Sequence, residues 1–502
     1  ITTRLVGSEM CIRDSNCNIG RELRALLGYG RLTPWHGLNY VRSYEAAQPH
    51  FNSTGNHWSS TENSAHNSWN VNFNNGNSNN NKYNANVVRP AVAHPTKAWL
   101  QLRKSLQEAF EDCCRGKASS QQFQDYIPIA NEDLDLLTTE LIEGTYKPET
   151  STCFLVRFPK LREVFAAAFR DRIIHHWICM RLVPHFEELN ENIGNVTHNC
   201  RVGFGTKSAV DGVFQAIKEV TFDYGMEAYL FRGDLVGFFM SLPQRRMCDN
   251  LIDFAQAEYH GDFKNLLIWL LDVVVMHRPE LNCMFNSDPK DWAGLAHNKS
   301  LFRTGKGRGA PIGNLTTQLF ANFYMADFDA FMVDCIKKLK KRGIRAAYHR
   351  FVDDFILVCN DKKALKWLIH AAEIKIKSMD LTMHKDKRYI QPTSHGVLFV
   401  GTYIKNGRLY LSNRTIGRFR DKANEIAKFM QQPAKEITSA DLDHILATLN
   451  SYLGFCKYRQ TYRIRRKAMK ALLYSHEFKR YFKINRNISK VTLRKEWKTI
   501  IR

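Results

Sequence analysis

The sequence predicts an α+β fold, and three stretches carry that prediction. Residues 350–360, "RFVDDFILVCN", alternate in hydrophobicity up to two adjacent acids and continue as an apolar, β-branched run, the pattern of a hairpin with the acids at its turn. Residues 396–412, "GVLFVGTYIKNGRLYLS", read as paired strands around an Asn-Gly turn. Residues 309–343, "GAPIGNLTTQLFANFYMADFDAFMVDCIKKLKKRG", read as a turn followed by a long amphipathic helix.

Along the chain, the first ninety-odd residues differ from the rest. Asn fills about a third of positions 51–90, and "VNFNNGNSNNNKYNANVVRP" has too little apolar surface to bury a face, so this segment is expected to be irregular, loop or weak hairpin. The texture becomes globular at Thr96. "KAWLQLRKSLQEAFEDCC" has helical spacing, and "REVFAAAFRDRIIHHWICMRLVPHFEEL" predicts a long helix ending near Pro184. "AYLFRGDLVGFF" reads as a strand with one acid, Asp234, and a helix is expected near 362–379. The last ninety residues read as helical, with Lys and Arg outnumbering acids by roughly three to one, a balance suited to phosphate contacts.

The chain has 502 residues, enough for two or three domains, and a formal net charge of +23. That excess asks for an acidic partner, most commonly nucleic acid. The 12 cysteines include no CxxC pair, which argues against a zinc knuckle and for buried thiols in a reducing cytoplasm. No apolar stretch reaches the length of a membrane span, so no membrane partner is expected.

The acids carry the chemistry. Asp234 ends one predicted strand, and Asp353 and Asp354 sit at a hairpin far away in sequence. If those strands are neighbours, three carboxylates converge, a hard-oxygen set suited to Mg²⁺ together with substrate phosphates. Two such ions about 3.5–4 Å apart can activate a 3′-hydroxyl and steady a leaving pyrophosphate, and bound metal would resolve the repulsion between adjacent acids.

On these residues the chain resembles the reverse transcriptases. "FRGDLVGFFMSL" is similar to their motif A, "RFVDDFILV" to their YxDD motif with Phe351 in place of Tyr, and "SHGVLFVGTYI" to their motif E. "LREVFAAAFRDRIIHH" and "RVGFGTKSA" resemble the fingers motifs. The resemblance runs from about Thr96 to the C-terminus. Within that family, "GAPIGNLTTQ" resembles the reverse transcriptases of diversity-generating retroelements, through Ile312, Gly313, Asn314 and Gln318. The alternatives are a group II intron or retron-type enzyme, or a lectin-like fusion with an inactive polymerase body. An intron protein would usually continue into a maturase region.

The resemblance implies a right-hand polymerase: fingers and palm, with an antiparallel sheet, over 95–404 and a basic helical thumb over 405–502. It implies a cytoplasmic enzyme, bacterial or phage-encoded, that copies a template-repeat RNA with errors at adenines. Its partners would be template RNA, an RNA–DNA duplex, dNTPs and a small basic accessory protein. It makes Asp234, Asp353 and Asp354 the catalytic and metal-binding acids for two Mg²⁺ ions, with the Leu235 carbonyl as a further ligand and Asp354 the one that tunes the site. Arg162, with Lys160, would hold the triphosphate, Phe239 would exclude a ribose 2′-hydroxyl, and Lys387 would protonate pyrophosphate. Ile312, Gly313, Asn314 and Gln318 would lie near the templating pair, where an aliphatic Ile312 polices geometry less than an amide. His175 and His176 read as structural. Asn codons begin with two adenines, so residues 1–94 are expected to be non-native or a translated template repeat, with 34–94 resembling a lectin-type variable region. Residues 1 to about 15 resemble translated adapter sequence and enter no fold argument.

Overall fold

The computed structural model describes residues 95–498 apart from 118–119, 158–159, 386–387, 433–436 and 457–460, and the backbone of four short strands before them. Those strands are β1 (Asn56–Glu62), β2 (Ser68–Asn72), β3 (Ser78–Asn79) and β4 (Val87–Val88), in the order β3-β2-β1-β4. The segment expected to be irregular, loop or weak hairpin, is part sheet, with β1, β2 and β3 paired as short hairpins. Strand pairing is made by backbone groups that Asn does not remove, and Trp58, Trp69, Val71, Val87 and Val88 lie at strand positions that favour it.

The globular part opens with helix α1 (Lys97–Cys114), started by the Thr96 hydroxyl, which accepts from Trp99 N. It buries Leu102, Leu106, Ala109, Phe110 and Cys113, one stripe at helical spacing. Helix α2 (Ala130–Glu143) follows and ends on Gly144 in the left-handed region. Strands β5 (Ser151–Val156) and β6 (Arg162–Ala166) pair as a hairpin. Helix α3 (Phe169–Ile193) starts later than the sequence pattern suggested, because "REVFA" pairs with β5 instead. It also runs through Pro184 to Ile193, a little past the end expected near that proline and its aftermath. Packing of its long buried face outweighs the backbone bond that a proline removes.

Helix α4 (Thr206–Val220) leads to β7 (Tyr229–Asp234), the short turn helix α5 (Phe238–Ser241), and helices α6 (Gln244–Glu258) and α7 (Lys264–Met276). Strand β8 (Cys283–Phe285) then adds in parallel to β5, giving a β6-β5-β8 sheet. The long helix expected after residue 314 is two, α8 (Leu315–Tyr324) and α9 (Ala326–Lys340), joined at Met325. Strands β9 (Ala346–Phe351) and β10 (Asp354–Cys359) form the expected hairpin. Helix α10 (Lys362–Ser378) and β11 (Ile390–Pro392) complete a central sheet of order β11-β7-β10-β9, antiparallel at every pairing.

The chain continues through β12 (Val397–Phe399), β13 (Thr402–Lys405) and β14 (Arg408–Leu411), a meander containing the expected Asn-Gly turn. The main core lies between the central sheet and α1, α3, α6 and α9. From Leu411 to Leu493 a separate core forms, built on α11 (Asn413–Phe429), α12 (Ser439–Cys456) and shorter helices. The expectation of an all-helical C-terminus misses one hairpin, β15 (Phe482–Ile484) with β16 (Val491–Leu493). No helix among the described residues is long and apolar enough to cross a membrane.

Candidate active site

Antiparallel pairing of β7 with β10 sets Asp354 directly opposite Asp234, and the β9–β10 turn holds Asp353 beside them. Register decides this: Phe355 pairs with Gly233, and a Cβ on Gly233 would sit 2.2 Å from the Phe355 ring. The missing side chain lets the strand ends close at full register.

The turn is under strain. Val352 has φ +58°, a left-handed conformation that costs a β-branched residue on the order of 1–3 kcal/mol. A buried network holds it. Arg350 and Asp329 are both fully buried. The Arg350 guanidinium donates to both Asp329 oxygens, at 2.7 and 2.5 Å, and to the Val352 carbonyl at 2.9 Å. Asn199 Oδ1 accepts from Val352 N at 2.8 Å, and Tyr348 donates to Asp329 at 2.6 Å. The turn is thus gripped at both its amide and its carbonyl. Sequence reasoning missed these residues, although two signals were present. Arg350 has the core-facing parity of Tyr348 on β9, and Asp329 lies in the apolar stripe of α9.

The three acids differ. Arg232 donates to both oxygens of Asp354, at 2.9 and 2.7 Å, so that carboxylate is committed to a bidentate ion pair. Asp234 is buried at the end of β7. Asp353 is half-buried, and burial, followed by the charges of Asp354 and Asp234, pushes its carboxyl up to about 6, against a weaker downward pull from Arg162. Next to them, Val236 N donates to Thr382 O and His384 N donates to Asp234 O, so neither bond uses the Leu235 carbonyl.

No group of three or more His, Cys, Asp or Glu among the described residues stands ready to hold a metal ion. The Arg232 pair occupies the Asp354 carboxylate, the acid expected to tune the site. Mg²⁺ is nonetheless held in many sites by one or two carboxylates plus substrate phosphates. Asp234 and Asp353 fit that description, and the raised Asp353 carboxyl marks a place where a cation would relieve repulsion.

These acids lie on the floor of a cleft of 4480 Å³. Its walls include Lys160 and Arg162 from the β5–β6 hairpin, Leu235, Phe239, Ile312, Gly313, Asn314 and Gln318, and Arg418 and Lys422 from α11. Arg162 and Lys160 are exposed, and Phe239 is half-buried. Gly237 at φ +53° turns the chain from β7 into α5, and a Cβ there would sit 2.8 Å from the Asn298 carbonyl. That turn brings Phe239 back over the cleft. Lys387 lies outside the described residues.

The "IGN" segment ties the β5–β6 hairpin to the central body. Phe165 N donates to Ile312 O at 2.8 Å and Ala167 N to Asn314 Oδ1 at 3.3 Å. Gly313, at φ +134°, leaves 2.4 Å between an added Cβ and the Phe165 carbonyl. The Ile312 side chain is half-buried against a small cluster that includes Cys153, Phe165 and Met240, and Gln318 accepts from the Cys200 thiol at 3.4 Å. His175 and His176 are buried and hydrogen-bonded to Thr316 and Asp112, as structural residues would be.

No known protein-family profile matches the sequence. No curated protein matches it either. Among solved structures, the chain is similar to apo telomerase from Candida tropicalis, at 11% identity over 70% of this chain and 67% of that one, with a TM-score of 0.40. Telomerase from Candida albicans in complex with a TWJ fragment of telomeric RNA gives 10% identity over 70% and 64%, with a TM-score of 0.39. The Candida tropicalis telomerase truncated from its C-terminal domain gives 13% identity and a TM-score of 0.37, and the match covers 57% of this chain and 60% of that one.

The electrostatics give a sign. A carboxyl raised above its unfolded value of 3.8 opposes folding once ionised, so its penalty is absent well below that pH, grows between there and about 6, and is full above it. Asp353→Asn in metal-free buffer at pH 7 should raise the melting temperature, by an amount on the order of 1 kcal/mol in stability. An unchanged or lowered melting temperature in a scan with chelator would show that the acids are not in conflict.

Proposed function

We propose that this chain is an RNA-directed DNA polymerase of the diversity-generating retroelement type, working with two Mg²⁺ ions. The observation that carries the reading is the meeting of Asp234 and Asp353 at neighbouring strand ends, on the floor of a cleft flanked by basic side chains. Asp234, Asp353 and the Leu235 carbonyl would hold the metal, with Asp354 tuning the site through Arg232. Bound there, Mg²⁺ supplies acidification of a 3′-hydroxyl and neutralisation of phosphate charge.

The chain's own groups have separate tasks. Arg162 extends a planar, permanently charged fork suited to a triphosphate, with Lys160 beside it. Phe239 closes the floor where a ribose 2′-hydroxyl would otherwise fit. Lys387 would protonate the leaving pyrophosphate. Arg418 and Lys422 of α11 face the same cleft and would meet the phosphates of an RNA–DNA duplex, held by backbone and shape rather than sequence. The template would be a repeat RNA whose adenines are copied with errors, and an accessory basic protein would assist. Residues 95–404 and 405–502 would be the fingers-palm and thumb, and 34–94 a translated template repeat.

Purified chain given an RNA template, a DNA primer, dNTPs and Mg²⁺ should extend the primer. Asp353→Ala should reduce extension at least a hundredfold while remaining folded, and near wild-type extension by that variant would remove Asp353 from the site. Ile312 gives a test of subtype. Ile312→Gln should lower misincorporation opposite adenine a few-fold, about the effect of one net hydrogen bond, with other template bases little changed. cDNA sequencing that shows an unchanged error spectrum and uniformly lower yield would make Ile312 a packing residue only.

A further inference from the structure

Phe285 and Phe302 are exposed, at 53% and 38%, yet they are not loose. Their rings stack on each other with centroids 5.4 Å apart and 22° between planes. The Phe285 ring also meets buried Trp292 edge-on at 5.5 Å, and the Phe302 ring meets buried Phe165 at 5.5 Å. The segment carrying them is pinned by one buried carboxylate. Glu163 accepts from Trp292 Nε1 at 2.7 Å, Ser300 Oγ at 2.8 Å and Leu301 N at 2.6 Å. Two partly exposed, mutually stacked aromatic rings are thereby held at the surface by groups behind them.

The surroundings are basic. Across residues 277–308, Lys and Arg outnumber acids six to three, and Lys299, Arg303 and Lys306 are exposed. The platform is continuous with the cleft: Asn286 and Ser287, next in chain to Phe285, line it, as does Lys299. Rigid exposed aromatics beside Lys and Arg suit unpaired nucleobases, which stack by their faces without regard to sequence.

We infer that Phe285 and Phe302 form a stacking platform for the unpaired RNA strand that has not yet entered the cleft. This rests on the polymerase reading, which supplies such a strand. Its function would be to hold template bases ahead of the site in extended form, with Lys299 and Arg303 on the phosphates.

The test uses the full chain without divalent metal and a labelled RNA–DNA duplex, either blunt or carrying a 5′ RNA overhang of about eight nucleotides. Wild type should bind the overhang form roughly tenfold or more tightly, the effect of one or two stacked bases. Phe285→Ala with Phe302→Ala should abolish that preference and leave blunt-duplex affinity intact, and the two Tyr substitutions should restore it. An equal melting temperature for the Ala and Tyr pairs shows that folding is not the cause. No overhang preference in wild type, or a preference retained by the Ala pair, overturns the inference. So does an overhang on the DNA strand bound as tightly, or a concentration-dependent dimer lost in the Ala pair, which would give the patch to a second copy. Primer extension on a short overhang separates the two readings. Overhang binding without extension removes the polymerase reading, and extension without overhang preference removes the platform.

Discussion

The fully buried ion pair between Arg350 and Asp329 is the constraint from which the site follows. Its Coulomb attraction stands against the desolvation of both groups, so the pair adds little net stability by itself. Its value is positional. One guanidinium fork spans the Asp329 carboxylate and the Val352 carbonyl, and so joins helix α9 to the β9–β10 turn. Asn322 extends the network, accepting from the same guanidinium at 3.0 Å and donating to the Asn199 carbonyl at 3.2 Å. Val352 can stay in a strained conformation because its neighbours fix it from two sides.

A second conflict sits one residue further on. Asp353 is held near two other acids, of which Asp354 has a bidentate partner in Arg232. A fold optimised for stability would not keep that arrangement. Strain at Val352 and repulsion at Asp353 lie side by side, the expected signature of a site shaped for a ligand rather than for packing. The β5–β6 hairpin is joined to this floor by the backbone of Ile312 and by the Gly313 position that only glycine fills without a clash, and to the platform segment by Glu163. Arg162, at the start of the same strand and next to the Glu163 joint, is therefore carried on a braced strand.

Much of this was legible in the sequence because it depends on local pattern. The hairpin at 350–360, the strand ending at Asp234 and the meander at 396–412 follow from period-two alternation and turn residues. What failed depends on tertiary partners. "REVFA" has helix-compatible residues but finds β5 to pair with, and Pro184 is carried through α3 by the packing on either side of it. The Asn-rich segment forms strands because backbone pairing does not depend on an apolar face. Arg232 could not be assigned to Asp354 before the β7–β10 register was known, since its partner lies 122 residues away. Arg350 and Asp329 were detectable as charges at core-facing positions, but not as partners of each other.

The most direct test of this account is the divalent-cation affinity of Arg350→Lys, measured by Mn²⁺ titration beside wild type. Lysine keeps a positive charge next to Asp329 but cannot reach the carboxylate and the Val352 carbonyl together. The variant should fold, with the turn released and Mn²⁺ affinity lowered about tenfold or more, the range typical when a group that orients a metal ligand is lost. Wild-type affinity in a folded Arg350→Lys chain would contradict it, because the charge alone would then suffice to position Asp353.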